Sequence, residues 1–342
     1  MSSKTTPYGS WKSPITSEMI VAQSITLSEP RLDGEHVYWL EGRPQELGRL
    51  VVVRANSLGG HAADMTPKPY NARTRVHEYG GASWTVTDGD VYFSNFADGR
   101  LYCQSNGTTS PVPLTPAPAV RDRQWRFADG IIDHMRKRWI GVREDHTTGG
   151  EPINTVVAVH LQQIGSDSGR VLVGGHDFFA SPRLSPDGRW LLWLAWNHPN
   201  MPWIGTTLYL SKLDAGGNIS EAQTIAGGLS ESIFQPQWSP DGRVIFFVSD
   251  RSNWWNLYRF DLAKRTSEPL APMPAEFGVP LWNLGASTYA CAGSDQLICA
   301  YSTASLGRLA VLDLRTRALQ PFETPFTEFS SVRADNNRAV CR

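Results

Sequence analysis

Two stretches of this chain gather side chains able to do chemistry. The first is Arg73-Thr74-Arg75-Val76-His77-Glu78-Tyr79-Gly80-Gly81, where cations, an imidazole, a carboxylate and a phenol share one short segment. Arg75 and Glu78 are charge partners for the two ends of a peptide, and with His77 and Tyr79 they make a candidate substrate-facing loop. The same residues also read structurally: Arg pairs with Glu, and Gly80-Gly81 permits a tight turn into the run that follows. His77-Glu78 does not open a zinc-protease helix, because that motif needs a second His four residues on and Gly81 stands there. The second stretch is Trp196-Asn197-His198-Pro199-Asn200-Met201-Pro202-Trp203. Its two Pro forbid a regular strand. Asn197, His198 and Trp203 are candidates for ligand contact, and a packing loop with buried Trp is the alternative. Trp254, beside Trp255, carries the same two readings.

No catalytic residue, metal ligand or cofactor site emerges. There is no G-x-S-x-G elbow; Gly81-Ala82-Ser83-Trp84-Thr85 comes nearest and lacks the final Gly. No Gly-rich phosphate loop occurs, so no cofactor is expected. The four cysteines, Cys103, Cys291, Cys299 and Cys341, form no CxxC pair and read as reduced thiols. Glu41, Asp64, Glu144 and Asp145 could serve glycoside hydrolysis only at defined separations, and otherwise form a solvated face.

The elements that must position these residues are announced by a repeated phrase. Ser185-Pro186-Asp187-Gly188-Arg189 precedes the apolar run Trp190 to Leu194, and Ser239-Pro240-Asp241-Gly242-Arg243 precedes Val244 to Val248, 54 residues later. Pro sets φ and Gly tolerates positive φ, so each phrase is a turn. The runs after them read as strands. Further strand pairs are His36–Leu40 with Leu50–Val53, and Trp139–Val142 with Thr155–Val159 across the polar stretch Arg143 to Pro152. Asp88-Gly89 joins Ala82–Thr87 to Val91–Ser94 as a hairpin. Pro111-Val112-Pro113 and Pro269 to Pro274 read as joints between units. Turn-and-strand units of this length predict an all-β fold, a β-propeller of about seven four-stranded blades, taking roughly 45–50 residues per blade. Residues 1–27 are expected as an N-terminal extension and 28–342 as the propeller. The strand–turn pattern of Ser331 to Arg338 leads into Ala339-Val340-Cys341-Arg342, so the last blade is expected to be incomplete, the propeller truncated within it.

Composition narrows the function classes. The chain has 342 residues with 41% hydrophobic, enough for a sizeable core, and 13 Trp suited to packing between twisted sheets. A net charge of −1 gives no basic face for nucleic acid, so no nucleic-acid partner is expected. No run reaches the ~20 apolar residues of a membrane helix, and no signal core stands at the N-terminus. The expectation is a cytoplasmic protein with no membrane partner.

Thr74-Arg75-Val76-His77-Glu78-Tyr79-Gly80-Gly81, Val142-Arg143-Glu144-Asp145-His146, Asn197-His198-Pro199-Asn200-Met201-Pro202-Trp203 and Gln237-Trp238-Ser239-Pro240-Asp241-Gly242 occur in this order along the chain. Together they resemble the N-terminal propeller of prolyl oligopeptidase family serine peptidases, in the dipeptidyl aminopeptidase/acylaminoacyl peptidase group. Ile204 departs from the pattern, since relatives often carry Asp after this Trp. The resemblance implies a propeller that caps an α/β-hydrolase domain and admits short peptides. It implies that the catalytic Ser, Asp and His lie in that domain, missing here or separately encoded. Peptides are then the expected partners, and this chain alone is expected to be inactive. The rival readings are a stand-alone interaction scaffold and a propeller glycosidase.

Overall fold

The repeated phrase shows how the sequence makes its turns. Ser185 Oγ donates to Asp187 Oδ1 (2.6 Å) and accepts the Trp190 N–H (2.9 Å), while the Gly188 N–H reaches the Ser185 carbonyl. Ser239 repeats the set with Asp241 (2.7 Å), Val244 (3.0 Å) and Gly242. Each turn feeds a strand buried on both faces, Leu191 to Trp196 in one case and Ile245 to Ser249 in the other. That is why these runs are continuously apolar instead of alternating.

The structure, a computed structural model, describes residues 5–21, 24–120, 124–335 and 338–342. A short helix, α1 (Ser17–Val21), precedes the sheets. The first sheet holds β1 (Thr26–Asp33), β2 (His36–Arg43), β3 (Arg49–Asn56) and β4 (Ala63–Asp64). The second holds β5 (Trp84–Thr87), β6 (Asp90–Ser94), β7 (Leu101–Gln104) and β8 (Val112–Pro113). The third holds β9 (Trp125–Asp133), β10 (Arg138–Asp145), β11 (Ile153–His160) and β12 (Arg170–Val173). The fourth holds β13 (Phe178–Leu184), β14 (Trp190–Trp196), β15 (Thr207–Lys212) and β16 (Gln223–Gly227). The fifth holds β17 (Ile233–Trp238), β18 (Val244–Ser249), β19 (Asn256–Asp261) and β20 (Thr266–Pro269). The sixth holds β21 (Tyr289–Cys291), β22 (Gln296–Thr303), β23 (Leu306–Asp313) and β24 (Leu319–Pro321). Every sheet is an antiparallel meander in chain order.

Six four-stranded blades therefore replace the expected seven with an incomplete last one. After β24 the described residues add only a two-stranded ladder, β25 (Arg333–Ala334) with β26 (Ala339–Val340), seated against β21 and β1. The count fell because the units are longer than assumed: the connections from Asp64 to Trp84 and from Pro269 to Tyr289 use chain without adding blade strands. The expected turn at Asn336-Asn337 lies outside the described residues. Two smaller readings also change. Val112-Pro113 is not a joint but an outer strand, acceptable because an edge strand can spare a backbone donor. Arg143-Glu144-Asp145 is not loop but the end of β10, with Arg143 and Glu144 buried.

Apolar layers fill the gaps between neighbouring blades. Tyr38, Val52, Trp84 and Phe93 join the first two sheets; Tyr92, Phe127, Trp139 and Val157 join the next two; Phe234, Phe246, Tyr289 and Leu297 join the fifth and sixth. Around the axis the contacts are polar. The inner strands carry bulges at Glu29, Asp129, Ser181 and Gln235, each with φ near +50°. Three of these side chains reach the next blade: Glu29 Oε1 accepts the Ala82 N–H (3.0 Å), Asp129 Oδ2 the Ser181 N–H (2.7 Å) and Gln235 Oε1 the Thr288 N–H (2.7 Å). Backbone bonds supply two other steps, Asp129 N–H to the Ala82 carbonyl and Val332 N–H to the Ser287 carbonyl.

Asp129 also accepts from Arg183 Nη1 at 2.9 Å and is almost wholly buried. Asp129→Ala strands a buried N–H and a cation together. Urea unfolding is expected to show a loss of about 3 kcal/mol, whereas Asp187→Ala on an exposed turn should lose about 1 kcal/mol or less.

Candidate functional site at the propeller mouth

In a meander the turns between second and third strands share one face with the connections from blade to blade. That topology brings five distant segments to one mouth: Arg73–Gly81, the β10–β11 loop, the β12–β13 connection, Trp196–Trp203 and Leu281–Leu284. They enclose a pocket of about 1270 Å³. Trp203 and Trp282 pack at 4.4 Å between ring centres, and Trp282 meets Tyr79 edge-on at 5.3 Å. Tyr79 and Trp282 stay about half exposed. Deeper in the wall Phe178 stacks on Trp196 (5.4 Å), with His77 and His198 edge-on against Phe178.

The loop that carries His77, Glu78 and Tyr79 is strapped across this mouth. Leu284 N–H donates to the Gly80 carbonyl, Asn283 Nδ2 to the Tyr79 carbonyl (2.8 Å), and Gly81 forms a parallel bridge with Leu284. Gly81 has φ +90°, and a Cβ there would meet the Leu284 carbonyl oxygen, so only glycine permits this approach.

Glu144 is the electrostatic hub. Buried at the end of β10, it accepts the His77 N–H (2.9 Å), Arg126 Nη1 (3.0 Å) and a hydrogen bond from His146 Nε2 (2.8 Å). Arg126 also donates to Glu78 Oε1 (3.0 Å) and to the Arg75 carbonyl, and Arg75 pairs with Glu78. The hydrogen bond from Arg126, followed by the one from Arg75, holds the Glu78 carboxyl below the usual range. Burial also lowers the His77 ring, down to about 4, although Glu144 and Asp129 favour its charged form. His77 is thus a neutral wall residue at neutral pH. The pocket lining has carboxylates at Glu78, Glu144, Glu151 and Asp177, but neither Lys nor Arg.

Of the residues singled out from sequence, His77, Glu78, Tyr79, His198 and Trp203 line this pocket together. Arg75 lines a separate cavity of about 280 Å³ with Arg73 and Arg126. Asn197 works as a brace: its Oδ1 accepts the Asp177 N–H (2.8 Å) and its amide reaches His176. Trp254 lines a neighbouring cavity of about 530 Å³ that shares Trp203. Sequence reasoning left Glu144, Asp177, Phe178 and Trp282 off the site. Glu144 looked like solvated surface; its cue was its place in the stretch Val142-Arg143-Glu144-Asp145-His146. Trp282 sits in a connection with no repeat to mark it. Among the described residues no three His, Cys, Asp or Glu are gathered to hold a metal ion.

Solved structures of similar shape identify the architecture. A Mycobacterium tuberculosis puromycin-hydrolyzing peptidase is 36% identical, with a TM-score of 0.88 over 98% of this chain. A puromycin hydrolase is 33% identical, with a TM-score of 0.88 over 99% of this chain. A prolyl endopeptidase at 12% identity and TM-score 0.62 covers 92% of this chain and 45% of its own, a likeness of fold alone. The chain spans about half the length of the first two, 52% and 53%. No protein-family model matches the chain, and no curated protein does.

The depressed His77 value has a stability consequence. Between its ordinary pH of about 6.5 and about 4, the unfolded chain binds a proton that the folded chain refuses. The contribution of this site is full above 6.5 and is lost as pH falls toward 4. His77→Asn, which tolerates the positive φ there, is expected to flatten the fall of the urea midpoint across that window. An unchanged slope would show that other groups govern it.

Proposed function

Because the chain is a propeller of the kind that prolyl oligopeptidase family peptidases carry, we propose that its mouth pocket gates a serine peptidase and receives small substrates by a free amino group. The observation that carries this reading is the pocket lining: Glu151 and Asp177, which are in no ion pair among the described residues, three exposed or half-buried aromatic rings at Tyr79, Trp203 and Trp282, and no Lys or Arg on the wall itself. A protonated amine fits carboxylates of this kind and the faces of Trp and Tyr. A flat aromatic side chain next to that amine fits the Trp203–Trp282 pair. The pocket volume accommodates a few residues of extended peptide and excludes a folded domain.

The division of labour follows from this geometry. The rim selects and orients, and bond breaking belongs to an α/β-hydrolase partner, in which the nucleophile is placed by the resemblance to this family. Docking of that partner over the mouth would cover Tyr79, Met201, Ile204 and Trp282, which stand exposed on this side. Among the described residues no helix is long and apolar enough to cross a membrane. Four free thiols suit a reducing compartment, and we place the chain in the cytoplasm.

The test is a tryptophan-fluorescence titration of the purified chain with an aromatic dipeptide amide and its N-acetyl form. The free amine is expected to bind about tenfold more tightly, and Glu151→Gln to shrink that preference. Trp282→Ala should weaken both ligands. Equal affinity for the two forms, or no binding, overturns the reading. The chain alone is expected to leave aminoacyl chromogenic substrates intact; turnover stopped by a serine-directed inhibitor would refute the assignment of the chemistry elsewhere.

A further inference from the structure

A further cavity, of about 200 Å³, lies on the axis of the ring, away from the mouth. Every inner strand contributes to it, from Arg31 on β1 to Arg333 on β25. Along β13, Phe178 lines the mouth and Arg183 lines this cavity, roughly 15 Å further on at a strand's rise per residue.

Three guanidinium groups converge here. Arg183 is bonded to Asp129, whose other oxygen is already used by the Ser181 N–H. Among the described residues, the acceptors of Arg333 are neutral: the Ser287 hydroxyl and the carbonyls of Gly285 and Val332. Arg31 lies over the Trp84 ring at 5.1 Å, and its buried Nε has no hydrogen-bond partner. Glu29 spends Oε1 on the Ala82 N–H. The interior thus holds three fixed cations against two carboxylates, Asp129 with both oxygens engaged and Glu29 with Oε2 buried and unpartnered near Arg31, which leaves one cation in excess and a partnerless N–H at the cavity wall. A buried cation without a counterpart is costly, and planar guanidiniums match oxyanions by paired hydrogen bonds.

We propose that Arg31, Arg183 and Arg333 form an axial site for one small oxyanion. Its chemistry is that of phosphate, sulfate or a carboxylate, supplied either as a free ion or as the carboxyl end of a peptide that has passed the mouth. The strain that an anion relieves is visible at Arg333. Burial, and then the like charges of Arg31 and Arg183, press its guanidinium down to about 9. Burial lowers Arg31 as well.

The experiment is calorimetric titration of the full chain with inorganic phosphate, sulfate, trialanine and trialanine amide, against sodium chloride at matched ionic strength. Phosphate or sulfate is expected to bind at one site, and Arg31→Met and Arg333→Met to weaken it about tenfold or more. Arg189→Ala, on an exposed turn, is expected to leave it unchanged. Trialanine binding without trialanine amide binding assigns the site to peptide carboxyl ends; binding of the inorganic ions alone assigns it to free oxyanions. If a Met variant does not fold, Arg31→Lys, which keeps the charge and loses the fork, should show the same direction of loss. No binding of any of these anions beyond chloride overturns the proposal. So does full affinity in both arginine variants.

Discussion

Everything in this molecule depends on how neighbouring inner strands are joined around an axis where there is little room for apolar packing. Strands at the centre of a ring diverge from one another and cannot continue a sheet. The chain answers with a bulge that turns one residue to positive φ, aiming its side chain at the next blade. Glu29, Asp129 and Gln235 accept backbone N–H groups that would otherwise be buried and unpaired. The apolar layers between blades supply bulk attraction. The axial bonds set where each blade stands relative to the last, which layers of Phe, Val and Leu alone would leave loosely specified.

That ring converts a set of local hairpins into a shaped opening. Because each sheet is a meander, its loops fall alternately on the two faces, and the mouth collects segments from blades far apart in sequence. The chemistry at the mouth is a contrast between a fixed hub and an open rim. Glu144 is saturated by His77, Arg126 and His146, so it fixes the loop. Glu151 and the Tyr79–Trp282 pair remain accessible to a ligand. A carboxylate can thus serve as scaffold or as recognition group according to how many donors already occupy it.

Much of this was legible in the sequence wherever the cause was local. The Ser-Pro-Asp-Gly-Arg turns, the Asp88-Gly89 hairpin and the strands after them follow from the conformations that Pro, Asp and Gly prefer, and the structure has them. Blade number was less legible, because it depends on how much chain the connections consume, and nothing in the run from Asp64 to Trp84 declares its length in advance. The loop carrying His77, Glu78 and Tyr79 stood out by residue type. Its neighbours across the mouth did not, since Phe178 and Trp282 look like any core aromatic until topology sets them on a common wall. Glu144 was misjudged for a similar reason: a charge inside a strand looks like surface unless its partners, here 18 and 67 residues away, are known. Arg31, Arg183 and Arg333 each sit singly in a different unit, so only the closed ring reveals them as a group.

The strap between Tyr79-Gly80-Gly81 and Asn283-Leu284 has a bearing on how the molecule is made. Its two halves are 204 residues apart, so at ribosomal rates of about 5–20 residues per second the early half waits on the order of ten to forty seconds for its counterpart. During that interval the first blades can pair their strands, but the loop over the opening has nothing to hold. Birth order therefore separates construction of the wall from tailoring of the doorway, and the doorway is finished only when the fifth blade has been translated.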